Sequence, residues 1–422
     1  MHHLKIHILL FISISFLLSI YPKAYSCTIF YLNGDTIVLA GNNEDWKDPA
    51  PMMWFYPATE GKHGWVKFGW GSGFPQGGMN DQGLFWDATA GPYLAMPVSE
   101  ATKEKYAGPL MKKVIEECAT LEEARAIFSY YYCEDLYKAQ YLIGDAGHRA
   151  MIVEGDNIVQ MSDDHLILTN FYHSHPELGG YPCDRYETAR QMIVGSDQYT
   201  AYLIGAILEA THQDGKYPTQ YSQIYELKSQ SFYLFYYHNY EEFIHIDLND
   251  ELKKGGRSYA IPELFAGLHQ LTPDAGESVT GNTIHFTWEG KPDFHYEILY
   301  STDPGFPEGN TITLPWQDKT GRSRSSLILG LAGFIFLLIS NGRNIKWHPI
   351  GSVILLVALL TTCTREETAV EDEPIQMTQT VTDIQSGTTY YWKVRAHPLN
   401  SDDFWSETVV RSFTLKSPGS EI

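Results

Sequence analysis

Cys27-Thr28-Ile29-Phe30-Tyr31-Leu32, then Asn33-Gly34-Asp35, then Thr36-Ile37-Val38-Leu39-Ala40-Gly41, set two runs rich in β-branched, aliphatic and aromatic residues on either side of a turn. That pattern predicts a β-hairpin. With a two-residue loop at Gly34-Asp35, position 27 pairs with position 42. Asn42 is then expected opposite Cys27, with Asn43, Glu44 and Asp45 just past the strand end. A carboxylate there can hold the ammonium or thiol of Cys27 in place. A polar run of this kind also makes an ordinary solvated turn.

What precedes Cys27 gives the hairpin its meaning. Lys5 and the apolar run from Ile8 to Ile20 read as an export leader, broken by Pro22 and Lys23 and closed by Ala24-Tyr25-Ser26. A cut after Ser26 makes Cys27 the first residue of the mature chain, with a thiol and a free α-amine in one residue. A thiol near pKa ~8.5 is little ionised at neutral pH, and an α-amine near ~7.7–8.0 can accept its proton. Nucleophile and base then come together. Two plainer fates compete. A lipid-modified cysteine wants an aliphatic residue three before it and a small one two before, where Ala24 and Tyr25 stand. A structural disulfide is the other. The chain has five cysteines, an odd number, and none lies in a CxxC or metal-like spacing.

The length of 422 residues predicts two domains, and the formal net charge of −21 argues against nucleic acid or an anionic membrane as partner. Strand signals run through 52–70, a Gly-rich loop through 71–78 and a strand through 84–89. Helical periodicity follows over 100–137, with further strands at 140–144, 150–154 and 166–169. Helices near 186–193 and 199–211 and strands at 222–225 and 231–237 complete an α+β pattern. The region 269–276 reads as a linker. Beyond it, alternating strands at 283–288, 296–301, 390–396 and 409–415 predict an all-β sandwich over 277–422. Two 14-residue apolar runs, within 325–363, interrupt that module and fall short of the ~20 residues of a membrane-spanning helix. The sequence leaves open both membrane association through them and homo-oligomerisation. His173-Ser174-His175 lacks a third ligand, so no metal or cofactor is expected.

Cys27-Thr28 with Asn42-Asn43-Glu44-Asp45-Trp46, then Gly78-Met79-Asn80-Asp81-Gln82-Gly83-Leu84, Leu168-Thr169-Asn170 and Arg185-Tyr186, follow one another as in a known family. Over about residues 27–268 the chain resembles the cysteine N-terminal nucleophile (Ntn) hydrolases: choloylglycine hydrolase, penicillin V acylase and the isopenicillin N acyltransferase-like proteins. The resemblance implies a four-layer αββα sandwich and cleavage of linear amide C–N bonds in small molecules. Cys27 would attack the carbonyl, Asp45 would orient its amine and thiol, and Asn170 would donate to the oxyanion. Arg185 would favour thiolate. Asn42, Trp46, Trp86 and Thr89 would line the substrate, and Trp46, Trp54, Phe55, Tyr56 and Trp86 would suit an apolar acyl chain. Two positions depart from the family: Asn42 stands where Arg is usual, and Ala90 where an Asn or Tyr donor is. The C-terminal strands, with Trp288, Ile384, Gly387, Thr388, Tyr390, Val394 and Ala396, resemble a fibronectin type III module. The expectation is an exported protein, periplasmic or extracellular, with membrane anchoring left open. Transfer of the acyl group to an amine instead of water, and a non-catalytic anchored binding protein, remain the alternatives.

Overall fold

The hairpin forms, and alternation along it sorts side chains into two cores. Ile29, Tyr31, Val38 and Ala40 enter one, and Phe30, Leu32 and Leu39 the other. The computed structural model describes residues 27–71, 75–92, 102–137, 139–316, 374–401 and 403–416. The expected leader (1–26) and the apolar pair (325–363) lie outside the described residues. Among those residues, no helix is long and apolar enough to cross a membrane.

The chain divides into two units, residues 1–269 with 395–410, and residues 270–394 with 411–422. In the first unit, one antiparallel sheet runs in the order His165–Leu168, Thr28–Asn33, Val38–Asp45, Thr219–Glu226, Ser231–Tyr236, Asn239–Asp247 and Ser406–Thr408. A second runs in the order Asn157–Gln160, Arg149–Glu154, Ala139–Asp145, Phe85–Ala90, Pro75–Asn80, Trp65–Gly69, Met52–Tyr56 and Arg257–Ala260. Residues from both sheets share one core, among them Ile29, Val38, Phe55, Phe68, Phe85, Leu142 and Tyr225. The other face of the second sheet (Trp65, Trp86, Tyr141, Ile143) packs on Leu110, Val114 and Phe128 of two helices. The other face of the first sheet (Phe30, Leu39, Ile224) packs on Ile193, Ile204 and Leu208 of two more.

Local chemistry sets the boundaries. The helical run expected over 100–137 is two helices, Leu110–Glu117 and Leu121–Tyr130. Thr120 caps the second by accepting from the Glu123 N–H while Glu123 reaches back to the Thr120 N–H, which stops the chain from continuing as one helix. Residues 75–78 of the stretch expected as a Gly-rich loop lie in the strand Pro75–Asn80. Glycine is needed there for close approach: a Cβ on Gly78 would lie 2.1 Å from the Val66 carbonyl oxygen, and one on Gly77 would lie 2.2 Å from Asp87 Oδ2.

The second unit's described residues form strands. Thr283–Gly290 pairs with Ile375–Thr382, and Phe294–Ser301 with Thr311–Pro315. Glu277–Thr280 runs parallel to Arg411–Lys416. Trp288, Trp392 and Phe286 are fully buried, with the Phe286 and Trp392 rings 5.0 Å apart. Two boundaries differ from the sequence reading. His269–Thr272 is a strand rather than linker. The segment 395–410 belongs with the first unit, because Ser406–Thr408 hydrogen-bonds to Asn239–Asp247 and Phe404 joins the core between the sheets.

Candidate active site

The register of the first hairpin differs from the expectation by two residues. Thr28 pairs with Asn43 and Asn33 with Val38, so the turn occupies 34–37 and Glu44, not Asn42, stands across from Cys27. The shift is even, so each residue keeps its face. Cys27, Asn42 and Glu44 face the core between the sheets. Thr28, Asn43 and Asp45 face the helices.

Cys27 is buried and carries no disulfide. Burial pushes the thiol pKa well above the ordinary range, with Glu44, Asp45 and Asp87 adding to the shift. The sulfur also feels the Asp45 main-chain N–H, which draws the thiol pKa down. A thiol so placed needs a proton acceptor before it can attack.

On the helix side, Arg185 stands in the first turn of Asp184–Val194 and ties four groups together. Its Nη1 donates to the Cys27 carbonyl at 2.9 Å and to Thr28 Oγ1 at 2.8 Å, and its Nη2 donates to Asn170 Oδ1 at 3.1 Å. Asp45 lies 4.0 Å away. The guanidinium therefore grips the backbone of Cys27 through its carbonyl. Thr219 and Gln213 donate to the two oxygens of Asp45. Burial raises the Asp45 carboxyl to about 7 against the pull of Arg185, Thr219 and Gln213. Asn43 fixes the strand to the helix Ala201–Thr211, donating to the Leu208 carbonyl at 2.9 Å, and Ser222 donates to its Oδ1 at 2.7 Å.

Asn170 follows the end of its strand and is buried. Its amide nitrogen donates to Thr89 Oγ1 at 2.8 Å and to the Ala90 carbonyl at 2.7 Å, so it serves an oxyanion only by exchanging one of these. Cys27, Asp45, Asn170, Arg185, Thr89 and Asn42 are thus brought together, and Trp46 packs at the edge of the same core, 6.1 Å from Trp70. Trp86 is not. It faces the helices 110–130 beside Tyr141, because strand alternation that turns Phe85, Asp87 and Thr89 toward the other sheet turns Trp86 away. Trp54 and Tyr56 also face away from the core between the sheets, under Lys67 and against Trp65. Of the aromatics expected to receive an apolar chain, Phe55 and Trp46 join that core.

Sequence reasoning missed Asp87, Gln213 and Thr219, and set Glu44 past the strand end rather than across from Cys27. Counting the strand Phe85–Ala90 by twos from Thr89 would have found Asp87. Nothing in the sequence marks Gln213, which a loop delivers, or Thr219, the first residue of the strand that pairs with Asp45. Among the described residues, His212, Asp214 and His238 place ligand atoms within 4.8 Å of one another, a set that could hold a metal ion.

No family model matches the chain, and no curated protein sequence does. Solved structures do. A mutant conjugated bile acid hydrolase from Clostridium perfringens is 16% identical, with TM-score 0.46, over 55% of this chain and 96% of that one. Penicillin V acylase from Agrobacterium tumefaciens is 16% identical, with TM-score 0.42, over 55% and 90% respectively.

Proposed function

We propose that the mature protein is an exported hydrolase of linear amide C–N bonds in small molecules, with Cys27 as N-terminal nucleophile on an αββα Ntn-hydrolase unit, followed by an accessory fibronectin type III-like module. The observation that carries this reading is the setting of Cys27. A lone thiol at the head of a central strand has Glu44 and the Asp45 N–H beside its sulfur and Arg185 on its carbonyl.

The chemistry follows from the placement. The thiol proton passes to the α-amine of Cys27, and the sulfur attacks the amide carbonyl, forming an S–C bond and an oxyanion. Asn170, released from Thr89 or Ala90, donates to that oxyanion, an interaction worth on the order of 3–4 kcal/mol in acyl transfer. The α-ammonium returns the proton to the leaving nitrogen as the C–N bond breaks. Water then attacks the thioester, releasing the carboxylic acid and restoring the thiol. Asp45, held by Arg185, Thr219 and Gln213, keeps the α-amine in place.

The test is intact mass of the exported protein before and after brief thiol alkylation, then after incubation with amide substrates. A chain beginning at Cys27, with one fast-reacting site and an acyl adduct that Cys27→Ala abolishes, supports the reading. A lipid on Cys27, or a mature chain starting elsewhere, overturns it.

A further inference from the structure

The face of the first sheet that carries Cys27 also carries an unusual set of buried polar groups. In register, Glu44 lies beside Tyr221 and Asn42 beside Gln223. Asp87 reaches the same place from the second sheet, in the space that Gly77 leaves by lacking a Cβ. All are at most 2% exposed. The Asn42 amide nitrogen lies 3.5 Å from Glu44 Oε2, and against the burial that raises the Asp87 pKa the same amide draws it down, so one neutral side chain stands beside both acids. No Lys or Arg among the described residues pairs with either acid; Arg185 is on the other face of the sheet. Further polar atoms face this patch without partners: Asn42 Oδ1, the Tyr221 hydroxyl, and both the oxygen and the nitrogen of the Gln223 amide.

Burial pushes both acids well above the ordinary carboxylate range, so neither ionises readily without a cation beside it, and each unpaired acceptor adds to the cost of the patch. A primary ammonium group answers both deficits, with one positive charge and three donors. We propose that this patch is a subsite for a primary ammonium on the acyl part of the substrate, so that the enzyme cleaves amides of short ω-amino acids. The inference rests on the amide-hydrolase reading of Cys27. The acyl part is the one placed here because it stays bonded to the sulfur while the leaving amine departs toward water. The patch begins at Glu44, directly across from Cys27, and runs to Asn42 and Gln223, about 7 Å further along the strand, which fits an amine a few carbons from the carbonyl.

The test compares matched p-nitroanilides: γ-aminobutyryl against its isostere pentanoyl and against anionic glutaryl. In parallel, calorimetry compares β-alaninamide with its isostere butanamide. The expected result is kcat/KM at least about 10²-fold higher for γ-aminobutyryl than for pentanoyl, and selective binding of β-alaninamide. In Asp87→Asn both preferences should shrink toward equality. Preference for pentanoyl or glutaryl with Cys27 still acylated overturns the subsite and leaves amide hydrolysis standing. Selective binding of β-alaninamide with no acylation of Cys27 by any amide keeps the subsite and overturns the hydrolase reading. Equal binding of the two calorimetric probes by the wild type, which needs no variant to fold, overturns the subsite.

Discussion

At the scale of single residues, Cys27 and Asp45 lead to opposite kinds of experiment. Cys27→Ala should remove the acyl adduct and lower turnover by at least about 10⁴-fold while leaving the fold intact, checked by intact mass and circular dichroism. Asp45 is a matter of pH. Its folded pKa, about 7, lies above the ~3.9 of an unfolded aspartate. The folded chain therefore holds an extra proton between those values. The associated stability is complete below about pH 4 and is lost as pH rises through about 7. Asp45→Asn removes that dependence. Urea unfolding of the two chains should show the variant gaining on the wild type by up to about 4 kcal/mol across this window. A constant difference would mean that Asp45 is ionised throughout. Arg185→Ala leaves Asp45 without its cation and frees the Cys27 carbonyl, so a loss of about 2–3 kcal/mol is expected in the same measurement.

At the scale of elements, strand alternation decides who reaches the site. Gly77→Ala would drive a methyl group into the Asp87 carboxylate, and Gly78→Ala would drive one into the Val66 carbonyl. Each should destabilise by at least about 2 kcal/mol, measured as a lowered unfolding midpoint. Thr120→Ala, at a cap remote from Cys27, should cost about 1 kcal/mol and leave kcat/KM unchanged.

The same alternation explains what could be read in advance. The hairpin, most other strands and the four helices described on the outer faces of the sheets are periodic over enough residues to stand out, whereas the short helix Leu248–Lys253 is not. Cys27, Asp45, Asn170 and Arg185 were legible because short motifs mark them. Glu44 was seen but misplaced, since strand pairing propagates any error in turn length and Asn33-Gly34-Asp35 suggests a tighter turn than the one at 34–37. Trp86 was misjudged because residue type, without parity, says nothing about facing. Gln213 reaches Asp45 from a loop that carries no periodic signal, and Thr219 from the first position of its strand, ahead of the run 222–225 that the sequence marks.

At the scale of the whole molecule, the two units are not successive beads. The first includes 395–410, whose strand Ser406–Thr408 pairs with Asn239–Asp247 and whose Phe404 ring lies 6.5 Å from Phe55 and 5.0 Å from Tyr259. A chain ended after residue 269 therefore lacks a strand and a core aromatic. It should unfold at lower urea than the full chain, by about 3–5 kcal/mol for the missing Phe404 alone. Equal midpoints would count against the assignment of 395–410 to the first unit.

That returning segment also sets a clock. A ribosome delivers Phe404 long after Cys27, and at roughly 5–20 residues per second the interval is tens of seconds. Until then the first unit is one strand short, with the edge of Asn239–Asp247 not yet covered by Ser406–Thr408. A chain abandoned midway through the second unit leaves the first unfinished, recognisable to proteases by its open edge.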